Sequence, residues 1–531
     1  MLKMTMRDFQ LPGRSPVLAT NGMCATSHPL AASIAVRMLE DGGNAVDAAI
    51  AAAVLLGLCE PQSTGIGGDC FVLLKPAGED RIIALNGSGR APAALSADHL
   101  RRKGHAAVPL HSPEAVTVPG AMDAFCRLSR DWGRLGLAAS LAPAIRYAEQ
   151  GVAVAPRVAF DWAQAEPHLQ GDGRRFFLES GKAPVAGMVF RAPGQAEVLR
   201  RVADQGRAAF YEGEVAQDMV SSLRDAGGMH TLEDFAGAEC EYGEPIEGPY
   251  RDLVVAEHPP NGQGAAALLL ANILSSFDLG KLDPYGVERI HVEAEAAKLA
   301  LDARDRFIGD VPMAERLDYM LSPSTASRLA SLIDPGRALS AVRETTDAIH
   351  RDTVYLSVVD RDLMAVSMIY SVFHSFGSGL ASARFGINFQ NRGAGFCLME
   401  GHPNELAGGK RPLHTIIPAM LRKSGRVVSS FGVMGGQYQA VGHARFVSGL
   451  ADYSMDPQQA LDGPRCFPED GELQLERGIG ENVRAGLASI GHRVVTPEAP
   501  LGGGQAIHID YRHGVLAGAS DQRKDGCALG Y

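Results

Sequence analysis

Four places in this chain combine residue types and spacings that invite chemistry. They are the glycine clusters GIGGD (65–69) and FGVMGG (431–436), the cationic GKRPLHT (409–415), and an Asp352-Thr353 pair opening the run DTVYLSVVD. Familiar arrangements fail one by one. Neither HExxH nor paired Cys/His at zinc spacing is present. Gly409-Lys410 is followed by Arg411 and lacks the upstream glycine of a phosphate loop. Ser378 in FGSGL and Ser88 in NGSGR miss the GxSxG frame of a nucleophile elbow. GIGGD precedes a strand where a dinucleotide fingerprint needs a helix. On residue type alone, Thr353 reads as an ordinary strand residue and Gly435-Gly436 as a turn.

The elements that must position these residues change character along the chain. Ser27 to Leu39 has helical spacing and stops at Asp41-Gly42-Gly43. Asn44 caps a second helix over Ala45 to Leu58, apolar on every side and therefore buried. Strands are expected at Phe71–Lys75 and Arg81–Leu85, and mixed helices from about 95 to 230, such as Pro143–Gln150 and Gln195–Ala208. Further helices are expected over Ala265–Leu274 and Val287–Phe307. After about residue 345 the period shortens. Val354–Asp360 and Met364–Tyr370 read as a hairpin around Arg361-Asp362-Leu363. Strands at Ile417–Leu421, Val427–Phe431, Ala506–Tyr511 and Val515–Ala517 follow, with helices near 437–450 and 480–490. This order fits sheets packed together with helices outside. The softest boundary is the polar stretch Val342–Arg351.

Of the 531 residues, 46% are apolar and 21% charged, which excludes a disordered or collagen-like chain. A net charge of −11 argues against nucleic-acid binding. With no run of 18 apolar residues, no membrane span is expected. The opening MLKMTMRDFQ lacks the apolar core of a signal peptide. Eight scattered cysteines without a CxxC pair read as reduced thiols of a cytoplasmic protein.

Taken together, DGGNAVDAAIAA (41–52), GIGGD, Asp352-Thr353, GKRPLHTIIPA (409–419), FGVMGG and the closing GASDQRKDGCALGY (518–531) resemble the γ-glutamyltranspeptidase family, in order and over nearly the whole chain. The resemblance implies an α/β fold, the αββα four-layer sandwich of N-terminal nucleophile hydrolases. It also implies a precursor that cuts itself between Asp352 and Thr353 into segments 1–352 and 353–531, which stay associated. Freed by that cut, the Thr353 α-amine, with a pKa of about 7.7–8, serves as base for its own hydroxyl. Gly435 and Gly436 match the family's oxyanion-hole pair. Ser371 stands where the family has a Thr near the nucleophile. Asn391 and Thr415 fall at site positions, and His414 where the family has a Ser. No metal or organic cofactor is implied, and a homodimer of the processed unit is allowed.

Three departures bear on substrate. The family's substrate-carboxylate Arg, in D-[FY]-R-E-x-A-P, aligns with Ser88, and Arg90 follows two residues later. An Asn of the family is Phe373 here. The Gln and Asp that hold the substrate ammonium in N-N-Q-x-x-D have become Arg392 and Gly395. Catalytic parts persist while ammonium recognition is gone, a pattern similar to the oxamate amidohydrolase branch. Arg90, Arg392, Asn391, His414 and Thr415 are therefore the expected substrate-binding residues. The expected activity is hydrolysis of a small carboxylate-bearing amide such as oxamate. A γ-glutamyl hydrolase or transferase is the alternative, and a cleavage-incompetent carboxylate-binding relative a third reading.

Overall fold

The structure, a computed structural model, describes residues 7–10, 13–312, 314–339 and 353–531. The expected boundary at Val342–Arg351 and the expected cleavage residue Asp352 lie outside the described residues. Fourteen strands build two seven-stranded sheets. Their ranges are β1 Val17–Ala19, β2 Met23–Thr26, β3 Asp69–Lys75, β4 Ile83–Gly87, β5 Glu241–Gly243, β6 Ile246–Tyr250 and β7 Leu253–Glu257. The later half supplies β8 Val354–Val359, β9 Ala365–Ser371, β10 Ala419–Lys423, β11 Arg426–Met434, β12 Gly503–Asp510, β13 Val515–Ser520 and β14 Cys527–Gly530. One sheet runs β1-β13-β12-β11-β10-β7-β6 and the other β14-β2-β8-β9-β3-β4-β5, antiparallel throughout.

Alternation along each strand divides its side chains between two layers. Val354, Leu356 and Val358 of β8 face the helices α1 (Pro29–Glu40) and α2 (Ala45–Cys59) in one apolar cluster. All of α2 is buried, and Asn44 caps it through a reciprocal bond with Asp47. On the far side, Leu421, Phe431 and Val433 face α3 (Gly264–Leu274), α4 (Val287–Phe307) and α5 (Gln439–Tyr453). The layers are thus helix, sheet, sheet, helix, the αββα arrangement expected.

Between the sheets the fit is close and partly polar. Ser357 Oγ lies 2.7 Å from Ser430 Oγ, and a Cβ on Gly432 would strike the Tyr355 ring. Pairs 357/430 and 355/432 step in opposite directions, so Thr353 falls level with Met434, where β11 ends. Helix α4 carries buried charge: Glu293 pairs with Arg289 and Arg445, each at 2.7 Å. Among the described residues no helix is long and apolar enough to cross a membrane.

Observed boundaries differ from the expected ones in one way that matters. Strand β3 begins at Asp69, two residues before the expected start, and so carries the last residue of GIGGD into the sheet. The short strands β1, β2, β14 and β5–β7 were not among the expected elements; most are brief edge strands with little periodicity.

Candidate active site

Register creates the site. Val354 pairs with Tyr370, which puts Thr353 level with Ser371, and Ser371 pairs directly with Asp69. Cys70 pairs with Gly87, which puts Asp69 level with Ser88. One cross-strand row therefore carries Thr353, Ser371, Asp69 and Ser88 on the inner face, at the ends of their strands. All four are buried. Thr353 Oγ1 donates to Ser371 Oγ at 3.3 Å, which also accepts the Phe373 N–H at 2.8 Å.

Opposite this row, β11 ends in Gly435-Gly436. Both have positive φ, +116° and +56°. At Gly435 a Cβ would also lie 2.7 Å from Gly502 Cα, so glycine is required twice over. Gln263, at the start of α3, steadies this turn. Its Nε2 donates to the carbonyls of Gly436 (3.0 Å) and Thr415 (2.6 Å), while its Oε1 accepts from Arg304 at 2.6 Å.

A second group surrounds Arg392, which is fully buried. Its NH1 donates to Thr415 Oγ1 at 3.2 Å, and its Cζ lies 4.2 Å from the Phe373 ring centre. Nε and NH2 have no hydrogen-bond partner in the structure. Burial pushes the guanidinium down to about 9, with Asp69 opposing, so it remains cationic at neutral pH. Asp69 Oδ1 accepts from Gly89 N (3.0 Å), Gly120 N (2.9 Å) and Gln390 Nε2 (2.8 Å). Burial pushes its carboxyl up to about 6, against the opposing pull of Arg392 and these donors.

His414 Nε2 lies 3.1 Å from Asp69 Oδ2. Burial, and then Arg392, hold the imidazole well below its usual 6.5, so the ring is neutral and the contact is a hydrogen bond rather than an ion pair. Asn391 acts on the loop after β9: its Oδ1 accepts from His374 N at 3.1 Å, and its Nδ2 donates to the Leu110 carbonyl at 3.1 Å.

Thr353, Ser371, Asn391, Arg392, His414 and Thr415 are thus linked through a few contacts, with Gly435-Gly436 on the facing strand end. Arg90 stands apart. It is partly exposed, pairs with Glu241 at 2.9 Å and Asp310 at 3.4 Å, and donates to the Gly409 carbonyl at 3.0 Å. Those partners take up the charge that the sequence offered to a substrate. Glu241 also receives Arg411, at 3.0 Å.

Sequence reasoning assigned no role to Asp69, Gln263 or Asn261. Asn261 joins the two loops of the site, donating to Ser88 Oγ (3.2 Å) and the Pro412 carbonyl (2.7 Å) and accepting from Asn86 (2.8 Å). The turn-forming run HPPNGQG, ahead of an apolar helix, was the available signal for both 261 and 263.

The family model described as gamma-glutamyltranspeptidase matches residues 31–531. The glutathione hydrolase-like YwrD proenzyme of Bacillus subtilis is 35% identical, over 97% of this chain and 99% of that protein. The oxamate amidohydrolase proenzyme of Klebsiella pneumoniae is 32% identical, over 97% and 99%. Among solved structures, a cephalosporin acylase from Bacillus halodurans superposes with a TM-score of 0.91 at 38% identity, covering 99% of each chain.

Proposed function

Since the chain belongs to the γ-glutamyltranspeptidase family and is an amide-hydrolysing enzyme of the N-terminal nucleophile class, we propose that Thr353 is its nucleophile and that its substrate is an amide whose acyl group carries a carboxylate but no ammonium, oxamate being the shortest. The observation that carries this reading is Arg392: buried, cationic, and with the Nε and NH2 donors of one edge unpartnered. That edge matches a carboxylate through two parallel hydrogen bonds.

Maturation comes first. Thr353 Oγ attacks the Asp352 carbonyl, the peptide C–N bond breaks to leave an ester and a free Thr353 α-amine, and water then cleaves the ester, releasing the Asp352 carboxylate and the Thr353 hydroxyl. In turnover that amine takes the Thr353 hydroxyl proton as Oγ attacks the substrate carbonyl. Ser371 holds the hydroxyl in place. The backbone N–H groups of Gly435 and Gly436 receive the developing oxyanion, a role worth about 10²–10³ in rate per donor. As the tetrahedral centre collapses, its C–N bond breaks and the proton passes to the leaving nitrogen. Water then cleaves the acyl-enzyme, giving oxalate and ammonia from oxamate.

The alternative, a γ-glutamyl substrate, brings an ammonium toward Arg392. At an effective dielectric of about 20, like charges 4 Å apart repel by about 4 kcal/mol. An Asp at 395 would offset this, but a Cβ on Gly395 would lie 2.7 Å from the Leu413 carbonyl oxygen. The backbone has closed over that position. Eight free thiols support a cytoplasmic location.

Activity should rise with pH through one ionisation, that of the Thr353 amine, which must be neutral to act. Burial of Thr353 disfavours the charged form of its amine and should set the limb below about 7.7–8. A pH profile of kcat/KM flat from about 5 to 9 would count against the mechanism.

A further inference from the structure

Two of the departures noted above, Phe373 and Arg392, touch each other, and the contact has a consequence for recognition. Phe373 has φ +81°. A bulky aromatic residue holds a left-handed backbone only where its surroundings impose it. Here they do so from both sides. Its own N–H donates to Ser371 Oγ at 2.8 Å. On the next residue, the His374 N–H donates to Asn391 Oδ1 at 3.1 Å, and the Asn391 N–H returns to the Val372 carbonyl at 3.2 Å. The buried ring then lies 4.2 Å from Arg392 Cζ on one side and edge-on to His374, 4.3 Å away, on another.

The guanidinium is thereby constrained two ways, with one edge left over. Phe373 lies against it, Thr415 takes NH1, and Nε with NH2 is the edge left over. We propose that Phe373 is a positioning residue that fixes Arg392 as a one-edged carboxylate receptor and sets that receptor's place relative to the nucleophile through its own N–H on Ser371. This rests on the reading of Thr353 and Arg392 given above and narrows it. The site takes acyl groups ending in a carboxylate, and a neutral diamide of the same length gains nothing from the stack.

Phe373→Leu keeps apolar bulk and removes the ring. KM for oxamate should rise about tenfold, the size expected of a buried cation–π contact. The kcat should stay within a few-fold, kcat/KM for oxamide should hold, and self-cleavage should go to completion. Phe373→Tyr should restore the oxamate KM. Equal losses on oxamate and oxamide, or an unchanged oxamate KM, would overturn the proposal. Should the Leu variant remain uncleaved, Phe373→Met fills the space with a flexible chain and carries the same expectations. Failure of both to mature would also overturn it, because the role assigned is in recognition. Calorimetric binding of oxalate and malonate to the processed enzyme separates this claim from the functional reading. A weaker dicarboxylate affinity in Phe373→Leu, by about tenfold, supports the receptor even if wild type hydrolyses no oxamate. Unchanged affinity contradicts it.

Discussion

Asp69 shows how much a single residue can carry at this site. Its carboxylate gathers three N–H donors and His414 while facing Arg392. Burial raises it to about 6 in the fold, against about 3.9 in an unfolded chain. The protonated form is therefore the one the fold favours. Stability from this group is complete below about pH 4 and is lost as the pH rises through about 6, by about 3 kcal/mol. Asp69→Asn should remove that slope, which denaturant titrations at pH 4, 5 and 7 would read; a variant with the wild-type slope would refute the assignment. Asp69 escaped sequence reasoning because GIGGD looks like a turn, and only the pairing of Ser371 with Asp69 puts its carboxyl on the inner face. Arg392 and Phe373 were legible singly, as departures from a pattern, but their stacking was not. Arg90 was attractive as an unassigned cation, and its acidic partners lie more than 140 residues away in sequence.

At the scale of elements, the site is made where strands end. Strands β8 and β3 begin where β9 stops, β11 stops opposite them, and Gln263 at the start of α3 ties the Thr415 and Gly436 carbonyls together. Gly435→Ala would force a Cβ toward Gly502 at a left-handed position. It should give a chain that folds poorly or stays uncleaved on a denaturing gel, and normal maturation would contradict the oxyanion-turn assignment. Gln263→Ala removes the donor shared by Gly436 and Thr415. A small displacement of aligned groups is costly, so kcat should fall about 10- to 100-fold, measured on processed protein. Glu293→Ala on α4 leaves Arg289 and Arg445 buried without their shared anion. It should destabilise by about 3–5 kcal/mol, read as a lowered denaturation midpoint. The strongly periodic elements were plain in the sequence: the expected helix over Val287–Phe307 matches the observed one end to end. The short strands β1, β2, β5–β7 and β14 were not, because a run of three to five residues barely samples a period of two.

The whole molecule explains why one chain should become two without falling apart. Segment 1–352 would supply β1–β7 and segment 353–531 would supply β8–β14, and both sheets interleave them. In one, β13-β12-β11-β10 lies between β1 and β7; in the other, β8-β9 lies between β2 and β3, with β14 beyond β2. Five strand-to-strand seams would join the fragments, so they should co-elute in native gel filtration and separate only in denaturant. The layered architecture was legible from the switch of hydrophobic period near residue 345, whereas the interleaving was not, since every seam is a contact between distant segments. On the proposed reading, what the molecule does with this frame turns on one pocket charge. The direct measurement is ammonia release by the processed enzyme from oxamate and from glutamine, side by side. Oxamate should be hydrolysed, with kcat/KM for glutamine lower by about two to three decades, as repulsion of about 4 kcal/mol beside Arg392 requires. Efficient release from glutamine with none from oxamate would contradict the account.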